Sequence, residues 1–213
     1  MIGDKLVIKP EHYERAAQIV DAAEARITDK FAISVGGESG SGKSEMAEAL
    51  RKTLEDRGFP AQVICQDDYF IFPPKTCHRM RQLNIEQVGM FEARLDFMDA
   101  NIRSFKQGDD QIYKPLSIYQ EDRLTTELLD VGDTRVLIAE GTYTTALTFT
   151  DLRVFIDRSY RDTESDRKKR NRDDLSDMAF MDAVLTREHK IISAHRELAD
   201  FIISRDLKSL QVK

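Results

Sequence analysis

The 213-residue chain is poor in several features that would mark other kinds of protein. Its two cysteines, Cys65 and Cys77, make neither a C-x-x-C pair nor a disulfide framework, so packing is their expected role. Proline and glycine are sparse, and there is no low-complexity tract or internal repeat, which excludes disordered, collagenous and repeat architectures. No stretch approaches the ~18 apolar residues of a membrane span. The N-terminal segment meets Pro10, Glu11 and Arg15 before any apolar run of signal-peptide length. The expectation is a cytoplasmic protein with no membrane partner. Basic residues are not in excess: 32 Lys and Arg against 38 Asp and Glu leave a net charge of −6. That excludes a broad nucleic-acid footprint but allows a local basic patch and a small anionic ligand. The four histidines have no metal-ligand spacing and are expected on the surface or satisfied, with His78 the one whose loop could carry it to a substrate.

What is present is an alternation of short apolar runs with helical patterns. Tyr13, Ala16, Val20, Ala23 and Ile27 recur at steps of three and four, so residues 11–28 read as an amphipathic helix within an N-terminal extension, residues 1–30, that precedes a main domain of residues 31–213. Phe31–Val35 reads as a strand, followed by a glycine-rich loop and a helix to about Arg57. Ala61–Cys65 is a second strand, ending in Gln66-Asp67-Asp68-Tyr69-Phe70. Residues 71–90, with Pro73, Pro74 and Gly89, read as a long loop with at most a helical turn, before a helix over about 91–107. Pro115 argues for an edge or loop, and residues 118–129 suggest a hairpin-like excursion. Val136–Ala139 and Leu152–Ile156 are buried strands ending at Glu140 and Asp157, a long helix or helix pair covers about 175–198, and Asp200–Ile203 is a last strand. Continuous apolar strands alternating with helices predict an α/β three-layer sandwich around a mainly parallel sheet.

The glycine-rich loop is Gly37-Glu38-Ser39-Gly40-Ser41-Gly42-Lys43-Ser44, a match to G-x-x-x-x-G-K-[ST]. Its glycines let successive N–H groups turn toward phosphate oxygens, and the following helix adds its N-terminal partial charge. Lys43 supplies a mobile cation for the β- and γ-phosphates, and the Ser44 hydroxyl suits Mg2+. The cofactors expected are ATP and Mg2+. There is no N-K-x-D, no D-x-x-G and no L-S-G-G-Q-like run, which argues against a GTPase switch and a transporter ATPase. Carboxylates end two strands, Asp67 with Asp68 on one and Glu140 on the other. Ligands of open α/β sheets sit outside the strands' carboxyl ends, so one acid can hold Mg2+ while another accepts the proton of an attacking hydroxyl. Asp67 and Asp68 could equally cap the loop that follows.

Residues 158–174 are dense in Arg and Lys with little apolar content. A helical projection puts Arg161, Lys168 and Arg172 on one side and Arg167 with Arg170 on another. Such a segment fits a mobile basic lid closing over the transferring phosphoryl group; a solvated helix laced by pairs such as Asp166 with Arg170 is the alternative.

In this order and spacing, GESGSGKS at 37–44, QDDYF at 66–70, Tyr113, VLIAEG at 136–141, FID at 155–157, the basic run ending in Arg172-Asp173 and ADFII at 199–203 resemble the uridine kinase and phosphoribulokinase group of P-loop kinases. The resemblance implies a small-molecule kinase, with a hydroxyl of a ribose-containing acceptor as its target. It implies that Asp67 is the general base, that Ser44 and Glu140 belong to the Mg2+ site, and that Arg167, Arg170 and Arg172 close on ATP and the transition state; Asp67 is counted with the metal-site residues as well, and Lys43 with the catalytic ones. Asp68, Tyr69 and Tyr113 would line the acceptor site. The His that follows the tyrosine in uridine kinases is absent between 114 and 122, leaving Tyr119 and Arg123 as the nearest substitutes, and Tyr143 could face the acceptor or pack. Two other readings remain at this point: an ATP-binding regulatory module without turnover, and a nucleoside monophosphate kinase using Arg79, Arg81 and Arg94. A homo-oligomer is compatible with either.

Overall fold

The computed structural model describes residues 6–163 and 178–213. In chain order the elements are α1 (Pro10–Ala23), β1 (Phe31–Gly37), α2 (Lys43–Asp56), β2 (Ala61–Cys65), α3 (Pro74–Leu83), α4 (Leu95–Gln107), β3 (Gln111–Ile118), β4 (Arg123–Asp130), β5 (Val136–Gly141), β6 (Leu152–Ile156), α5 (Met178–Ile192), β7 (Phe201–Ile203) and β8 (Leu210–Val212). Six strands form one sheet in the order β2-β5-β1-β6-β7-β8. All neighbours in it are parallel except β7 and β8. β3 and β4 form a separate antiparallel ribbon. No helix of the described residues is long and apolar enough to cross a membrane.

Alternation along the strands divides the core into two layers. Ile33 and Val35 of β1, Val136 and Ile138 of β5, and Val154 and Ile156 of β6 pack against Met46, Leu50 and Leu54 of α2. Ala16, Ile19, Val20 and Ala23 of α1 lie in the same cluster, so the N-terminal helix packs on the outer side of α2 and shares its core. On the other face Ala32, Leu137 and Ala139 meet Met98, Ile102 and Phe105 of α4. Phe155 and Ile202 meet Ile192 of α5 on that side too. Each fully buried Leu, Ile or Phe contributes ~1.5–3 kcal/mol. The result is the three-layer sandwich expected, with every parallel strand ending on the same edge.

Four expectations need correction. Residues 74–83 are a helix rather than loop: Pro74 sits in its first turn, where its missing N–H costs nothing, and only Cys77 is buried, so no apolar stripe announces it. α4 starts at Leu95, after a single 3-10 turn at Met90–Glu92. The excursion is a full ribbon that includes Pro115, opposite Thr126; a two-stranded ribbon leaves room for a residue without an N–H. β8 was not anticipated, because its three residues are partly exposed and pair only with β7.

Candidate active site at the strand ends

β1 runs directly into the phosphate loop, and α2 begins at Lys43. Gly37 has φ +148°, and a Cβ there would stand 2.9 Å from the Ile156 carbonyl oxygen, so the turn out of β1 requires glycine. The Ser41 N–H donates to the Glu38 carbonyl at 3.1 Å, and Lys43 Nζ curls back to that same oxygen at 2.9 Å. α2 has no side-chain cap, which leaves first-turn N–H groups for an anion. Ser41 Oγ is buried without a partner among the described residues.

The Glu38 side chain points away from the loop's interior. It accepts from the Tyr160 N–H at 2.7 Å and lies 2.6 Å from His189 Nδ1. Thr163 Oγ1 donates to the Ser39 carbonyl at 3.1 Å. The phosphate loop therefore holds the chain at Tyr160 and Thr163, just before residue 164, and α5 at His189 in its last turn. His189, expected on the surface or satisfied, is half exposed and satisfied by Glu38, which makes it a partner of the loop. The lid arginines Arg167, Arg170 and Arg172 lie outside the described residues.

Glu140, at the end of β5, stands in register with Val35 of β1 and Cys65 of β2. It is 5% exposed and accepts from Ser44 Oγ at 3.2 Å and Cys65 Sγ at 2.9 Å. Burial raises its pKa, the Asp67 charge raises it further, and Lys43 opposes both. A buried carboxylate, a hydroxyl and a second carboxylate within electrostatic reach form an oxygen donor set suited to a hard divalent cation. Asp67 itself, half-buried in the 3-10 turn Gln66–Tyr69, accepts no hydrogen bond among the described residues.

Its neighbours point elsewhere. Asp68 is 8% exposed; its Oδ2 accepts from Lys114 Nζ at 2.9 Å and its Oδ1 from the Ser117 N–H at 3.0 Å, so it anchors the ribbon to the turn. Tyr69 is fully buried against Phe97, with its hydroxyl accepting from Asn101 Nδ2 at 2.9 Å, which corrects the expectation that it lines a substrate site. Burial lifts the Tyr69 pKa well above the usual phenol range. Tyr113 is 64% exposed on the ribbon. Tyr119 lies under Lys75 Nζ at the ribbon's tip, and Arg123 pairs with Glu121 at 2.9 Å. The ribbon's tip holds Tyr119 and Arg123 with other partners, and no contact brings either to Asp67 among the described residues. His78 stacks edge-on with Phe180.

A group of charges that spacing did not reveal lies on the α3 and α5 side. Arg81 Nε and Nη2 donate to Glu92 at 2.6 and 3.0 Å, and Nη2 stands 3.4 Å from Glu188 of α5. Glu92 also accepts from the Gly89 N–H at 2.8 Å. Burial raises the Glu188 pKa, Arg81 opposes this, and the charges of Lys43 and Asp67 reach it too. Tyr143, 1% exposed, donates its N–H to Gln66 Oε1 at 2.7 Å, and its ring packs against His195. Arg79 pairs with Asp122 and Arg94 covers Phe97, so the three arginines considered for a second phosphate have separate partners.

A strand, phosphate loop and helix at the carboxyl edge of a mainly parallel sheet make this a P-loop NTPase fold of the kinase type. The sequence profile of the Phosphoribulokinase / Uridine kinase family matches residues 32–205, well over half of the chain, and the protein belongs to that family. A curated relative, the bifunctional alpha-galactosidase/sucrose kinase AgaSK of Mediterraneibacter gnavus, is 28% identical over 207 residues; these cover 91% of this chain but 22% of that protein. Among solved structures, D-glycerate 3-kinase from Cryptococcus neoformans superposes with a TM-score of 0.65 at 13% identity, covering 94% of this chain and 99% of that one. A possible uridine kinase from Bacillus stearothermophilus gives a TM-score of 0.61 at 15% identity over 89% and 97% of the two chains. At these identities the two superpositions speak to the fold.

Proposed function

We propose that the protein is an ATP- and Mg2+-dependent kinase that phosphorylates a hydroxyl of a small acceptor, with Asp67 as general base. The observation that carries this reading is the division of labour between adjacent aspartates: Asp68 is engaged on both oxygens, whereas Asp67 is left unpartnered among the described residues, within electrostatic reach of Glu140. The α2 N-terminus, Lys43 and the loop N–H groups would hold the nucleotide phosphates. Ser44 and Glu140, with Asp67 beside them, would hold the metal, which when bound screens phosphate charge. Asp67 takes the proton of the acceptor hydroxyl as its oxygen bonds to the γ-phosphorus. The bond from that phosphorus to the β-bridging oxygen breaks, and ADP leaves with the electron pair. Catalysis is mostly positioning and charge neutralisation. The family name and the relative's name point to acceptors that share a polyhydroxy character, ribose-containing in the narrowest reading.

Asp67→Asn tests the assignment. Acceptor-dependent ADP release should fall by ~100-fold or more with ATP affinity retained. Full activity in that variant would remove Asp67 from the chemistry. Intact ATP binding with no acceptor-dependent turnover in the wild type would favour a regulatory ATP-binding module instead.

A further inference from the structure

The phosphate loop carries one acidic residue, Glu38, in a stretch whose other groups suit anions. Lys43 Nζ and the Ser41 N–H both donate to the Glu38 carbonyl, at 2.9 and 3.1 Å, and Arg158 Nη1 donates to the Ser41 carbonyl at 3.4 Å, so two cations stand on the loop's backbone. A carboxylate facing the same ligand opposes phosphate binding by like-charge repulsion. The Glu38 side chain is instead turned away from the loop's interior and is 6% exposed. Its Oε2 accepts from the Tyr160 N–H at 2.7 Å, and its Oε1 lies 2.6 Å from His189 Nδ1. His189 is its only ion-pair partner among the described residues.

An ionised carboxylate only accepts, so the proton of this bond sits on His189 Nδ1, and it stays there whether or not Nε2 carries a second one. The imidazole is held in place for that bond. Its ring packs edge-on against Tyr160 with centroids 5.9 Å apart, and the Tyr160 hydroxyl pairs at 3.0 Å with Thr186 Oγ1, on the same face of α5. Arg187 and Glu188, the neighbours of His189 on that helix, are turned to Glu86 and Arg81. Loss of the His189 bond leaves the Glu38 carboxylate with the Tyr160 N–H alone, and a change of rotamer then swings the charge toward the loop. We infer that His189 is a positioning residue for the nucleotide: by holding Glu38, it keeps the one carboxylate of the phosphate loop off the bound phosphates. The inference takes from the kinase reading only the loop's ligand, a nucleoside triphosphate, and its test is binding without an acceptor.

Calorimetric titration with ATP and ADP of the wild type, His189→Ala, Glu38→Gln and the double variant tests this. Glu38→Gln removes the charge but keeps both contacts, because the amide oxygen accepts from the Tyr160 N–H and the amide N–H2 donates to a neutral His189 whose proton has moved to Nε2. His189→Ala should weaken ATP by ~10-fold and ADP by less, and the loss should shrink as salt is raised. Glu38→Gln should bind ATP at least as tightly as the wild type. The double variant should recover the affinity lost in His189→Ala, to within ~3-fold of the wild type. A brace acting through packing alone predicts the opposite: with His189 gone, removing the Glu38 charge restores nothing. A double variant as weak as His189→Ala, weaker ATP binding by Glu38→Gln, or unchanged affinity in His189→Ala would overturn the role of His189. Recovery in the double variant, with no acceptor-dependent ADP release from any of the four proteins, would keep that role and refute the kinase reading.

Discussion

Asp68→Asn separates anchoring from chemistry. Lys114, 5% exposed, is paired with Asp68 Oδ2 at 2.9 Å and with Glu127 Oε2 at 3.0 Å, and the Ser117 N–H is held by Asp68 Oδ1. Asparagine keeps an acceptor for Ser117 but loses the charge-assisted bond to Lys114. Glu127 still faces the ammonium, so the loss is that of one charged hydrogen bond rather than of a whole buried pair, or ~1.5–3 kcal/mol. For a domain of this size each kcal/mol moves the midpoint by ~2–4 °C, so thermal melting should drop by ~3–12 °C. Asp67→Asn should behave oppositely: no hydrogen bond is lost among the described residues and repulsion with Glu140 is relieved, so stability stays within ~0.5 kcal/mol. Melting both variants alongside the wild type, with kcat measured on the same samples, gives a double dissociation. An Asp68→Asn protein as stable as the wild type, or one that loses turnover while Asp67→Asn retains it, would refute the reasoning.

Three further outcomes follow from the same contacts. Glu38→Ala removes the acceptor of the Tyr160 N–H and the partner of His189, so exchange of the Tyr160 amide should accelerate by ~10–100-fold in hydrogen-exchange experiments, with β5 amides unaffected. Gly37→Ala forces a side chain into a positive-φ turn against the Ile156 carbonyl; ATP affinity should fall together with thermal stability. Burial lowers the pKa of both His12 and His195; for His12, Lys9 and Arg158 reinforce the effect while Glu45 and Glu11 oppose it. The unfolded chain then binds protons near pH ~6.5 that the folded chain refuses, so stability is fully present above that pH and declines as pH falls below it. Urea midpoints should decrease on acidification, and His12→Gln should flatten the slope; an unchanged slope would count against a neutral buried His12.

Much of the phosphate site was readable because each of its residues answers a backbone demand. Gly37 must adopt a positive φ against β6, Lys43 must follow a loop that can curl, and Ser44 must open a helix, so residue type and position are coupled within eight residues. The places of Glu140 and Asp67 at strand ends were readable for a related reason: Glu140 directly follows the apolar run Val136–Ala139, and Asp67 follows Ala61–Cys65 after one residue. Glu188, Arg81 and Lys114 were not. Each lies in a segment where charged residues are ordinary, and only contacts between parts of the chain far apart in sequence turn them inward, as with Lys114 and Asp68, 46 positions apart. Tyr69 misled because it directly follows Asp68 in a tight 3-10 turn, where Asp68 turns to the ribbon and the next side chain, Tyr69, turns to the core. α3 was missed because Pro73-Pro74 starts a helix there instead of breaking one.

The central claim is transfer of a phosphoryl group to an acceptor hydroxyl, and phosphorus NMR of the protein with ATP, Mg2+ and a panel of hydroxyl-bearing acceptors (ribose, uridine, fructose, sucrose and glycerate) tests it most directly. The account predicts a new phosphate monoester resonance that grows with ADP, requires one of the acceptors, and disappears in Asp67→Asn. ADP accumulating with inorganic phosphate alone, at a rate indifferent to acceptor and to Asp67, would contradict it.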